Sequence, residues 1–134
     1  EGTEVAAVHA GWRGLCDGII EAAVNKFNHS PTELVAYLGP AIGPSAFEVG
    51  VEVKLQFEAK HPQATSCFKQ TSLQLGTDKY MADIQALARI RLSELGIIQV
   101  YADKRCTVGE SESFFSYRRD GVTGRMASFI WLDN

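Results

Sequence analysis

Apolar positions along this chain fall into short continuous runs separated by stretches of helical spacing. Val5-Ala6-Ala7-Val8-His9-Ala10 predicts a strand from Val5 to Ala10. Leu15, Ile19, Ala22, Ala23 and Phe27 then recur at helical intervals and predict a helix from about Arg13 to Phe27. After the Ser30-Pro31 break, Leu34-Val35-Ala36-Tyr37-Leu38 reads as a buried strand running into a glycine and proline loop, Gly39 to Pro44. Val51 to Lys60, with Val51, Leu55 and Ala59 on one side, predicts a helix that stops before Pro62. The pattern weakens from Gln63 to Thr77, apart from a short alternating piece, Ser72-Leu73-Gln74-Leu75.

The longest regular stretch, from about Lys79 to Leu95, carries Ile84, Leu87, Ala88, Arg91 and Leu95 on one side and predicts a helix capped by Gly96. A strand over Ile97 to Tyr101 follows, then a polar loop from Asp103 to Glu112. Phe114 to Arg119 and Arg125 to Leu132 read as two strands joined around Asp120-Gly121. With no internal repeat or linker, the expectation is mixed α and β structure in a single domain, residues 1–134.

Composition narrows the class. A chain of 134 residues buries roughly two thirds of its unfolded surface in one core. Hydrophobic residues at 46% and charged residues at 22% exclude a disordered or fibrous chain. No apolar run is long enough to span a membrane, and no signal-peptide pattern is present, so a membrane partner is not expected. A net charge of -3 argues against nucleic acid as the main partner, because phosphate-backbone binding needs a basic excess. Cys16, Cys67 and Cys106 are odd in number and form no C-x-x-C pair, which suits reduced thiols and a cytoplasmic location. The chain opens at Glu1 directly into a strand-like stretch, which suggests a piece of something longer.

Two segments carry candidate chemistry. In the first, His9 ends the opening strand and Gly11-Trp12-Arg13-Gly14 leads into a helix. An arginine at a helix start grips a phosphate or carboxylate in bidentate fashion, with the helix amides in support. Against that stand blander readings: His9 as a hydrogen-bonded core residue, Arg13 as a surface ion pair and Trp12 as a core plug. In the second, Phe114 to Arg125 places Tyr117, Arg118, Arg119 and Arg125 around one turn, though composition alone slightly favours a solvated hairpin with Asp120 pairing an arginine. Cys106 is read as a buried thiol. His29 and His61 fall in turns beside prolines and receive no role, and metal-ligand spacing is absent.

These motifs together resemble the laccase-domain proteins, also called the YfiH-like or polyphenol oxidase family. The resemblance rests on His9-Ala10-Gly11-Trp12-Arg13-Gly14, on Leu38-Gly39-Pro40-Ala41-Ile42-Gly43-Pro44 with Phe47-Glu48-Val49, and on Cys106-Thr107 followed by Phe114 to Ala127. It implies an α/β fold with mixed sheets sandwiched between helices. It further implies a metal site of two histidines and one cysteine, usually regarded as zinc, with copper as the alternative. Only His9 matches one of those ligands. The others lie, in relatives, in a segment preceding Val5, so the resemblance implies a carboxyl-terminal part of a longer protein that lacks the amino-terminal segment, and it admits an isolated chain without activity. Uncovered sheet edges would then favour self-association.

Three activities are implied for the family: phosphate-dependent cleavage of purine nucleosides together with adenosine deamination, copper-linked oxidation of phenols, and amide hydrolysis that edits cell-wall precursors. A non-catalytic fragment is a fourth possibility. The residues fit phosphorolysis first, with purine nucleoside and phosphate as small-molecule partners. On that reading His9 goes to the metal and Arg13 to phosphate. Tyr117, Arg118 and Arg125 complete the catalytic candidates, and Gly11, Trp12, Gly14 and Gly43 line the substrate pocket. Multicopper oxidation is less plausible, because the chain holds three histidines in all.

Overall fold

A computed structural model describes residues 2–71 and 78–133. The elements run in the order α1 (Trp12–Asp17), α2 (Ile19–Val24), β1 (Val35–Leu38), β2 (Glu48–Gly50), α3 (Val51–Lys60), β3 (Phe68–Gln70), β4 (Lys79–Ala82), α4 (Ile84–Glu94), β5 (Gln99–Ala102) and α5 (Tyr117–Asp120). The fold is mixed α/β, with β1 and β5 pairing in parallel and β2, β4 and β3 forming an antiparallel sheet in that order. The alternating piece expected at Ser72–Leu75 lies outside the described residues.

Helix α4 joins the two sheets. Asp83 caps its start, with Oδ1 accepting from the Ala86 amide at 2.9 Å, and Gly96 in a left-handed conformation (φ +88°) ends it. Leu87, Ala88 and Leu92 are buried in a core shared with Leu15, Ile20, Phe47, Val53, Phe57 and Ile97. On its other side, Gln85 Nε2 donates to the carbonyls of Gly39 (3.0 Å) and Asp103 (2.8 Å), tying together the loops that follow β1 and β5. Arg91 is buried at 5% exposure, donating to Glu21 Oε1 and to the Cys16 carbonyl, each at 2.9 Å. The Cys16 carbonyl is free because α1 stops one residue later, so the guanidinium satisfies an acceptor that the helix itself leaves open.

Several expected elements are corrected. The single helix from Arg13 to Phe27 is two short helices, because Gly18 adopts φ +99° and turns the chain between them. The helix expected from Lys79 begins only at Ile84: Lys79–Ala82 is a strand paired with β2 and β3, and the Asp83 cap marks the change. The hairpin over Phe114–Leu132 is absent among the described residues. Ser116 Oγ instead accepts from the Arg119 amide and starts the four-residue helix α5. The strand over Val5–Ala10 is likewise not formed among the described residues, which supply no neighbour for it to pair with. That segment is nevertheless fastened: the Glu4 carboxylate accepts from the backbone and side chain of Asn28, at 2.9 and 2.6 Å, and Thr3 bonds His29 at 2.9 Å.

Candidate functional site

Residues 9–14 turn around a shallow cavity of about 250 Å³ lined by His9, Gly11, Trp12, Arg13 and Gly14. Three of its features follow from local sequence. Gly11 is extended (φ −64°, ψ 163°) and caps α1, and a side chain there would bring its Cβ within 3.4 Å of His9 Nε2, so a glycine lets the imidazole lie over the backbone. Arg13 stacks its guanidinium on the adjacent indole, 4.8 Å from the ring centre of Trp12, which holds a cation at the cavity, and no carboxylate pairs with it among the described residues. Trp12 is partly buried against the core, so the stack stands on fixed ground. Both His9 and Arg13 are exposed. The helix contributes less than its sequence promised: at six residues, α1 has a short dipole, and the guanidinium is the main source of positive charge.

A second concavity, of about 390 Å³, meets the first at His9 and is lined by Ala7, Val8, Ile19, Ala22, Ala23 and Lys26. Lys26 was not singled out from the sequence. Its position one turn past Ala22 and Ala23 on the same face was the available signal.

The other candidates lie apart from this cavity's lining. Tyr117 is largely exposed on α5. Arg118 donates to the Glu48 carbonyl at 3.0 Å and sits over Phe47. Arg125 is exposed in the irregular stretch that follows α5. Gly43 belongs to a different cluster around Cys106, where a Cβ on Gly43 would come within 3.1 Å of Sγ. Cys106 is half-buried rather than buried. Burial alone pushes its thiol up, but the amides of Gly109, Gly43 and Val108 point at the sulfur and together hold the thiol below the ordinary range. Cys16 and Cys67, buried in the core, have thiols pushed up by burial. Around the same loop, Arg119 donates to the carbonyls of Thr107, Val108 and Phe114, each at 3.0 to 3.1 Å, and pairs with Asp120. Nothing in the sequence pattern marked Arg119 for this, since its acceptors are main-chain atoms.

The donor set at His9 does not fit a metal by itself. Zinc takes three or four converging ligands, and no group of three or more His, Cys, Asp or Glu side chains is so placed among the described residues. The chain alone therefore does not build the centre that the family resemblance implies. No helix among the described residues is long and apolar enough to cross a membrane.

Comparison with known proteins places this geometry in context. The family model described as multi-copper polyphenol oxidoreductase laccase matches residues 1–133. A purine nucleoside phosphorylase, YfiH, of Escherichia coli is 56% identical over 98% of this chain and 52% of its own length. A purine nucleoside phosphorylase of Haemophilus influenzae is 48% identical over 98% of this chain and 53% of its own. Among solved structures, a Neisseria meningitidis protein superposes with a TM-score of 0.88 at 48% identity, covering 95% of this chain and 51% of that one. The chain thus spans about half the length of the curated relatives it matches.

Proposed function

The chain belongs to the laccase-domain family, and from that premise we propose that it forms part of an enzyme that cleaves purine nucleosides with phosphate. The observation that carries the reading is the cavity where His9, Trp12 and Arg13 share one wall. The purine nucleoside phosphorylases among its relatives support it.

Phosphorolysis transfers the ribosyl group: a phosphate oxygen forms a bond to the anomeric carbon while the bond from that carbon to the purine nitrogen breaks, and the purine leaves with a proton. The chain's own residues suit three parts of this task. Arg13, held on Trp12, neutralises the incoming dianion and orients its oxygens in a forked grip. The indole of Trp12, which lines the cavity, offers an apolar wall for a nucleoside. The extended backbone at Gly11 lets a ligand come close beside the imidazole. Zinc dependence and adenosine deamination both need donors beyond His9, so they belong to a whole protein that supplies them.

Copper-linked phenol oxidation, which the family description suggests, is the weaker reading. Of the three histidines, His29 bonds Thr3 and His61 follows the end of α3, so they do not gather with His9 at the cavity.

The test is a phosphate-dependent assay on the whole protein with inosine or adenosine. Release of free base and ribose 1-phosphate in equal amounts is expected, and Arg13→Ala should raise the KM for phosphate about tenfold or more with a smaller change in the nucleoside KM. Base release that is indifferent to phosphate, or none at all, overturns the assignment.

A further inference from the structure

The stretch that carries His9 spans a gap. Ala7, Val8 and His9 share the concavity of about 390 Å³ with Ile19, Ala22 and Lys26, so this backbone bridges the space beside α2 and does not lie packed on it. Val5 and Val8 keep 40% and 43% of their surface in water. Among the described residues, no main-chain hydrogen bond joins residues 5–10 to another element. A span of this kind is fixed by its two ends.

At one end, Ala10 packs against the core and Gly11 caps α1. At the other, Glu4 reaches the turn that follows α2 and spends both carboxylate oxygens on one residue: Oε2 accepts from the Asn28 backbone amide at 2.9 Å and Oε1 from its side-chain amide at 2.6 Å. Beside them Thr3 Oγ1 and His29 Nε2 lie 2.9 Å apart, and that imidazole stands 3.8 Å from the carboxylate. A carboxylate held by two N–H donors is a charge-assisted, directional contact. The same two amides hold the Glu4 carboxyl below the usual carboxylate range, so the acceptor is ionised at neutral pH. Gly11, α1, α2 and Asn28 thus close a ring with residues 4–10.

We propose that Glu4 and Asn28 are positioning residues for His9, and that their clasp sets where the imidazole stands beside Arg13. The inference rests on the reading that places the reaction at that cavity. Neither residue lines the cavity, so their action is through the backbone and not on the substrate. Releasing one end of a span frees the backbone torsions along it, and a reacting group misplaced by about 1 Å loses up to about a hundredfold in rate.

The test uses the whole protein and three variants. Asn28→Asp sets a second carboxylate against Glu4 and breaks the clasp, and Glu4→Ala removes it outright. Asn28→Asp combined with Glu4→Gln restores it with the roles exchanged: the new side-chain amide donates to the new carboxylate, while its oxygen accepts from the backbone amide at position 28. In both broken variants the order parameters of residues 5–9, read by NMR relaxation, should fall from about 0.85 to below about 0.6. The His9 ring resonances should shift with them, and kcat for phosphorolysis should drop about tenfold or more while KM for phosphate stays within about twofold. The combined variant should recover all three. A wild-type protein without phosphorolysis would sink the reaction and leave the two NMR readings to decide the clasp. Order parameters and His9 resonances that do not move in the broken variants, or that do not recover in the combined one, overturn the proposal, as does an unchanged kcat in an active protein.

Discussion

Two regions of this molecule meet water in opposite ways. In the region built by α1 to α4 and the three-stranded sheet, large side chains such as Leu15, Phe57 and Leu87 are fully buried, and an arginine is drawn inside to complete a helix end. In the region built by the outer face of β1–β5 and the terminal segments, Tyr37, Tyr101, Phe129 and Trp131 stand in solvent, and His9 with them, while Arg13 reaches solvent from the start of α1. The contrast separates two duties. The closed region holds the chain folded, and the open one leaves aromatic and charged groups in water without a share in that core.

The sharpest way to break that contrast is to truncate one aromatic in each region. Phe57→Ala should cost about 3–5 kcal/mol, read from urea unfolding, whereas Tyr37→Ala should stay within about 0.5 kcal/mol. Equal losses would abolish the distinction. Arginines give a second, smaller contrast. Arg91→Met strands the Glu21 carboxylate and the Cys16 carbonyl and should cost about 2 kcal/mol, below the usual loss for a broken buried pair because Glu21 keeps 29% of its side chain in water. Arg13→Ala should leave stability unchanged within about 0.5 kcal/mol.

At the border of the two regions, Gly43→Ala pushes a methyl to 3.1 Å from the Cys106 sulfur and should cost about 1 kcal/mol, most of it restored by Cys106→Ala in a double-mutant cycle. The smallest effect is chemical. With its thiol held down by amides, Cys106 should be alkylated by iodoacetamide at lower pH than Cys16 or Cys67, whose thiols burial pushes up. The check is mass spectrometry across a pH series, and simultaneous labelling of all three would contradict the assignment.

Much of the closed region was legible in sequence. The helix Val51–Lys60 has the bounds its apolar spacing and Pro62 indicate, and Gly96 ends α4 as its place after Leu95 suggests. Errors arose where one residue redirects the chain against a periodic pattern. Gly18 splits a helix, Asp83 starts one five residues late, and Ser116 starts one where alternation suggested a strand. The caps were visible in the sequence; their precedence over periodicity was not. The opening strand failed for another reason: strand pattern is a property of a segment, but a strand is a property of a pair.

At the candidate site, His9 and Gly11–Gly14 converge because they are consecutive, and sequence shows such neighbours readily. Gly43, Tyr117, Arg118 and Arg125 had no such tie, and the carbonyls that engage Arg118 and Arg119 carry no residue signature.

A guanidinium keeps its proton at every pH a folded protein survives. Because Arg119 fastens the turn from Thr107 to Phe114 through such a group, its three bonds to main-chain carbonyls should outlast changes of pH. Sensitivity to acidity falls instead on the groups around that frame, the Cys106 sulfur on the alkaline side and the Asp120 carboxylate paired with Arg119 on the acid side.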